Sequence, residues 1–182
     1  MRTLVVLFLF CFSTARGQEI TVRSFKGGDV DFRKYQRFFW AAQVDNQSDE
    51  SGYFNGDLFL KADIREAVHE ELGIRGLVRS ERDPQLLVNF RIFDNGALLT
   101  GSGGYGYSYW KREEIIYSLE FSSDEIEVDP GTLIISLLDK DTGRIVWQGF
   151  ASGLAKDKDE GLVRDAVRLI FEQYRSSEYT RR

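Results

Sequence analysis

The chain has almost no sulfur and almost no imidazole: its 182 residues hold one cysteine, Cys11, one methionine, Met1, and one histidine, His69. A single cysteine permits no internal disulfide, so the fold must hold itself by packing. A single histidine excludes the zinc-protease helix that His69-Glu70 resembles, because the second imidazole ligand does not exist. A serine nucleophile also lacks its customary setting, since no G-x-S-x-G elbow occurs. Long apolar runs are missing too. The stretch Leu4 to Phe12 is far short of the roughly 20 residues that cross a bilayer. Positive charge is the last shortage: 24 Lys and Arg face 29 Asp and Glu, a net charge of -5 that disfavours nucleic acid and anionic lipid as partners.

What is present begins with an export signal. Arg2, the apolar run Leu4 to Phe12 and the segment Ser13-Thr14-Ala15-Arg16-Gly17 form the three parts of a secretory signal peptide, with small residues Ala15 and Gly17 three and one before the cut. We expect residues 1–17 to be removed and residues 18–182 to form a single α+β domain beginning at Gln18. The cut would take Cys11 with it, and the loss of Arg2 and Arg16 would move the net charge from -5 to -7. Export without any disulfide suits a bacterial periplasm or cell surface. Lipid attachment at Cys11 is disfavoured, because Phe8-Leu9-Phe10 stand where a lipoprotein peptidase needs a small residue.

Apolar spacing of 3, 4 and 7 marks two helices. Val163, Ala166, Val167, Ile170, Phe171 and Tyr174 share one face, behind an Asp157/Glu160 capping pair. Ile64, Ala67, Val68 and Leu72 form the other stripe, starting at Asp57 or Asp63, with Gly76 past its end and Leu77 folding back on the last turn. Ile20 to Phe25, Gln36 to Ala42, Gln85 to Phe93, Glu114 to Phe121, Thr132 to Asp139 and Arg144 to Ser152 read as strands. Pro130-Gly131 suits a type II turn, and Asp139 to Gly143 a hairpin loop with Gly143 left-handed. Gln43 to Asn55 reads as a polar loop. The expected fold is a two-layer α+β sandwich, a mostly antiparallel sheet of about five or six strands with both helices on one face.

Several motifs dissolve in context. Gly101, Gly103 and Gly106 match G-x-G-x-x-G, but Tyr107, Tyr109, Trp110, Ile115 and Tyr117 follow where a helix N-terminus should begin. Asp139-x-Asp141-x-Gly143 resembles the start of a calcium loop, yet the glycine comes one place early and Phe150 stands where the closing carboxylate belongs. Asp124, Glu125, Glu127 and Asp129 read as a solvated bend. No cofactor and no metal is expected. The segment Gly101 to Trp110 alternates glycine with phenol, so that Tyr105, Tyr107 and Tyr109 share a face next to Trp110 if the chain is extended. These four residues are the candidate binding residues, as a strip that stacks on a sugar, a peptide or a partner protein; core packing of the rings is the competing role.

Three longer patterns carry a resemblance. Asp31-Phe32-Arg33-Lys34-Tyr35-Gln36-Arg37-Phe38-Phe39-Trp40 opens the chain after the leader, Asp83-Pro84-Gln85-Leu86-Leu87-Val88 follows the first helix, and Gly131-Thr132-Leu133-Ile134-Ile135 leads through Asp139, Thr142-Gly143 and Val146-Trp147 to Gly149. The chain resembles the bacterial envelope family catalogued as domain of unknown function 4136, over nearly its whole length after residue 17. That resemblance implies an envelope location and supplies no catalytic residues; many members resemble lipoproteins, a feature for which this chain lacks the site. Trp40 and Trp147 are expected beneath the helices. The function expected is a non-enzymatic domain that binds another envelope protein or an envelope glycan, through a sheet edge or through Tyr105 to Trp110. A small-ligand or glycan-binding protein is the alternative, and a hydrolase using scattered carboxylates trails both.

Overall fold

The computed structural model describes residues 20–27, 30–41, 58–93, 95–99, 126–154 and 160–179. In chain order these form β1 (Thr21–Lys26), a single 3-10 turn (Phe32–Lys34), β2 (Arg37–Trp40), α1 (Leu58–Ile74), β3 (Val78–Arg79), β4 (Leu86–Phe93), β5 (Ala97–Leu99), β6 (Ile126–Val128), β7 (Thr132–Asp139), β8 (Ile145–Ser152) and α2 (Glu160–Tyr179). Six strands build one open sheet in the order β1-β8-β7-β4-β2-β3, and β5 pairs with β6 apart from it. β1, β8, β7 and β4 run antiparallel each to the next, whereas β2 lies parallel to both β4 and β3. The α+β architecture read from the sequence is therefore present, with a mixed sheet at one side. β7 reads TLIISLLD with hardly any polar alternation because every one of its residues is buried: it is the middle of a sheet covered on both faces.

Both helices cover the same sheet face. Ile64, Val68 and Leu72 of α1 and Val163, Val167, Ile170 and Phe171 of α2 join Phe38, Trp40, Val88, Phe90, Ile135, Leu137 and Trp147 in one core. Trp147 stacks on Phe171 at 5.6 Å and meets Tyr174 edge-on at 5.3 Å. The chain register shifts between Leu137 and Leu138, so that one step on β7 spans two on β8 and both Val146 and Trp147 reach this core. Gly149 lets α2 approach: a Cβ there would overlap Ile170 Cγ2 and the Trp147 ring. α1 ends as its sequence indicated. Leu77 N donates to Leu72 O at 3.0 Å and Gly76 N to Gly73 O at 2.9 Å, while Gly76 sits at φ 82° and Leu77 is buried against the core.

On the opposite face, Phe93, Ile134 and Phe150 pack with Ile126 and Val128 of β6, and Phe39, Leu87, Leu138 and Ile145 form a second apolar cluster. Between the two lies a buried polar row of Asn89, Ser136 and Gln148. The expected strand Glu114 to Phe121, the Gln43 to Asn55 loop and the Asp157 cap lie outside the described residues.

Candidate functional site

Residues from all three patterns meet at one corner, where the start of β2 meets the β7–β8 hairpin. Asp31 caps the 3-10 turn by accepting from Arg33 N at 3.1 Å, and the turn drops Phe32 into the core against Tyr174 at 5.2 Å. It also delivers Lys34 and Tyr35 to Asp139. The Asp139 carboxylate accepts from Lys34 Nζ at 2.9 Å and Tyr35 Oη at 2.7 Å on one oxygen, and from Asp141 N at 3.1 Å, Thr142 N at 2.9 Å and Thr142 Oγ1 at 3.0 Å on the other. Gly143, at φ 69°, closes the hairpin by donating its N–H to Asp139 O at 2.8 Å.

Gln85 ties in the third motif. Its Oε1 accepts from Gln36 N at 2.8 Å and Arg37 N at 3.2 Å, and its Nε2 donates to Lys34 O at 2.9 Å. Its own backbone N–H donates to Arg37 O and its carbonyl accepts from Lys140 N, each at 3.0 Å. Arg37 completes the corner with Asp83, Nη2 to Oδ2 at 2.7 Å and Nε to the backbone carbonyl at 2.8 Å. One glutamine amide thus substitutes for backbone pairing where the parallel strand β2 begins.

The electrostatics commit this corner to holding shape. Burial pushes the Asp139 carboxyl up, but the hydrogen bonds from Lys34, Tyr35 and Thr142 outweigh it and leave the group well below the usual carboxylate range. Burial, then the hydrogen bond to Asp139, pushes the Tyr35 phenol up to about 12. The hydrogen bond to Asp139 raises the Lys34 ammonium above the ordinary lysine range. A carboxylate this acidic is a poor base at neutral pH, and a phenol this weakly acidic keeps its proton there.

Tyr105, Tyr107, Tyr109 and Trp110, singled out from the sequence as a binding strip, lie outside the described residues. His69 sits on the exposed side of α1, edge-on to Phe38 at 5.8 Å. Among the described residues no three His, Cys, Asp or Glu side chains are grouped to hold a metal, and no helix is long and apolar enough to cross a membrane. The Asp139 lock was not read from the sequence; the signal for it is an aspartate at the first position of a D-x-x-T-G hairpin, where a side-chain oxygen can meet the loop amides.

The family described as Domain of unknown function (DUF4136) matches residues 22–174, which contain this entire corner. The chain belongs to the DUF4136 family. A DUF4136 protein from Bacteroides thetaiotaomicron shares the fold with a TM-score of 0.57 at 16% identity, over 86% of this chain and 96% of that one. A PDZ domain protein from Parabacteroides distasonis aligns with a TM-score of 0.51 and 20% identity over 90% of this chain, which spans only 37% of that protein. No curated protein matches the chain. In this DUF4136 domain, the motif residues described above are caps, turns and a hydrogen-bonded lock between strands.

Proposed function

We propose that this DUF4136 domain is a non-enzymatic binding domain of the bacterial cell envelope, exported by way of residues 1–17, which captures another envelope protein by strand addition to β1. The observation that carries this is the outer edge of the sheet. Among the described strands β1 pairs with β8 alone, in unbroken register from Thr21–Ser152 to Lys26–Trp147. Gly27 N donates to Val146 O at 2.9 Å, so by the alternation of an antiparallel ladder the amides of Val22 and Ser24 point away from β8. Charged residues on an edge commonly guard it. Here they are turned onto the sheet faces: the Arg23 guanidinium lies 4.9 Å from the Phe150 ring centre and donates to Glu127 O at 3.0 Å, and the Lys26 ammonium lies 4.8 Å from the Phe32 ring.

Ser24→Pro tests the proposal, because proline is tolerated at an edge position whose N–H faces outward but blocks a strand from adding there. A photo-crosslinker at Thr21, used in the native envelope, should trap one protein partner with Ser24 and lose it with Ser24→Pro, while the melting temperature stays unchanged. Persistence of the same crosslink in the proline variant, or none with the parent, would overturn strand addition. Mass spectrometry of the native protein should find Gln18 first; a mature chain beginning at Met1 or at lipid-modified Cys11 would overturn the proposed export route.

A further inference from the structure

Beyond β1 the fold is open in both of its layers. In the sheet layer β1 pairs with β8 alone among the described strands, and the backbone groups of Ser24 point away from that neighbour. In the helix layer α2 packs on β1 and β8, and its flank towards α1 is filled. Arg164 donates to Glu66 Oε2 at 2.7 Å and to Glu70 Oε2 at 3.2 Å, and Arg75 Nη2 donates to Phe171 O at 2.6 Å. The other flank of α2 carries Leu162, Leu169 and Gln173, all half-buried and none charged. Two residues, just over half a turn, set Leu162 on the opposite side of the helix from Arg164, and Leu169 lies two turns further along the same side. The charges of α2 are spent elsewhere, Arg168 bonding Asp165 and Glu172 on its exposed face. A lone added strand would complete the sheet layer and leave Leu162 and Leu169 uncovered, whereas a second copy of the chain brings a strand and a helix in the same two layers.

On the reading of β1 as a receiving edge, we propose that a second copy of this chain closes that edge at rest, β1 against β1 in antiparallel register about a two-fold axis at Ser24, with α2 beside α2. Ser24 stands opposite Gly149 of β8, and Gly149 lies directly beneath Ile170 of α2, so the axis passes at the level of Leu169. Leu169 then meets Leu169 of the second copy. In this register Ser24 exchanges its backbone hydrogen bonds with Ser24 of the second copy, Arg23 stands opposite Phe25, and Val22 opposite Lys26. Each cation thus meets a ring or an aliphatic side chain, as it already does within the chain, where Arg23 lies 4.9 Å from the Phe150 ring centre and Lys26 4.8 Å from that of Phe32. No like charges face each other. Moving the axis by one residue to Arg23 would set two guanidinium groups side by side. An edge strand without guards needs cover against uncontrolled pairing, and the two-fold contact supplies it. Because self-pairing and strand capture use the same Ser24 amide, they exclude one another, and the free fraction of β1 sets the apparent affinity for the captured protein.

Sedimentation equilibrium of the purified protein at micromolar concentration should find a monomer–dimer equilibrium, and Ser24→Pro should abolish the dimer. Leu169→Glu and Leu169→Lys each place like charges across the axis and should each weaken it about tenfold or more; an equimolar mixture of the two should restore it. In the native envelope Leu169→Glu should raise the yield of the Thr21 crosslink to the other protein, because it releases β1 with its backbone intact. A parent that stays monomeric, a dimer that Ser24→Pro leaves intact, or charge variants that fail to pair when mixed would each overturn the self-pairing, and a captured protein would still stand. The reverse result is equally distinct: a dimer in the purified protein with no crosslinked protein from either the parent or Leu169→Glu would remove strand capture and keep the pairing. An unchanged crosslink yield in Leu169→Glu would show that self-pairing does not control β1.

Discussion

Replacing Asp139 by alanine removes the acceptor for five donors, and their surroundings set the cost. Tyr35 Oη is buried, so its orphaned hydroxyl carries the largest penalty, about 1–3 kcal/mol. The amides of Asp141 and Thr142 belong to exposed residues and can turn to water, so their loss amounts to about 0.5–1.5 kcal/mol. The Lys34 side chain is 57% exposed, and the screened ion pair adds no more than about 1 kcal/mol. Asp139→Ala should therefore destabilise by about 2–4 kcal/mol, a drop of about 5–15 °C in melting temperature. Asp139→Asn keeps an acceptor for the loop amides and should cost about half as much. Tyr35→Phe removes the orphan together with its partner, so in the Asp139→Ala background it should cost almost nothing, against about 1 kcal/mol in the parent. Urea unfolding of the two single variants and the double variant decides. Simple additivity, or an Asp139→Ala cost below about 0.5 kcal/mol, would refute the lock.

Two further outcomes follow from the same geometry. Because the folded Asp139 carboxyl titrates below its unfolded value of about 3.9, its contribution is complete above pH 4 and disappears as the pH falls further; the stability gap between parent and Asp139→Asn should close under acid and stay constant from pH 5 to 8. Gly149→Ala should cost about 1–3 kcal/mol by pressing on Ile170 and Trp147, and combined with Ile170→Ala it should cost less than the two separately, which calorimetry of the three variants would check.

Elements whose local chemistry is self-sufficient were legible from the sequence. The spacing of Val163 to Tyr174 is a helix wherever it stands, Gly76 and Leu77 carry their own helix stop, and Thr132 to Asp139 with Gly143 is a hairpin by its turn chemistry alone. Pro130-Gly131 behaves the same way, with Gly131 at φ 73°. What stayed hidden depends on partners distant in sequence. Nothing in Arg37 to Trp40 announces that β2 runs parallel to β4, because the direction is set by Gln85 bonding the amides of Gln36 and Arg37 across some fifty residues. The fully buried Gln148 was equally silent: read alone, a glutamine in a strand passes for a solvent-facing position, and only register with Ser136 and Asn89 places it in the interior.

Those two glutamines differ in how far the fold uses them. Gln85 spends both ends of its amide on backbone groups, its oxygen on two N–H donors and its nitrogen on a carbonyl, so the structure itself accounts for its presence. Gln148 spends its nitrogen on Ser136 and leaves its oxygen buried without a described donor, so the structure does not. A residue fully used by the fold should destabilise when truncated. One that the fold leaves half used should be replaceable at no cost to stability. The matched pair Gln85→Leu and Gln148→Leu therefore makes opposite demands: the first should lower the melting temperature by several degrees, and the second should not. If both variants lose stability alike, the polar row is part of the scaffold.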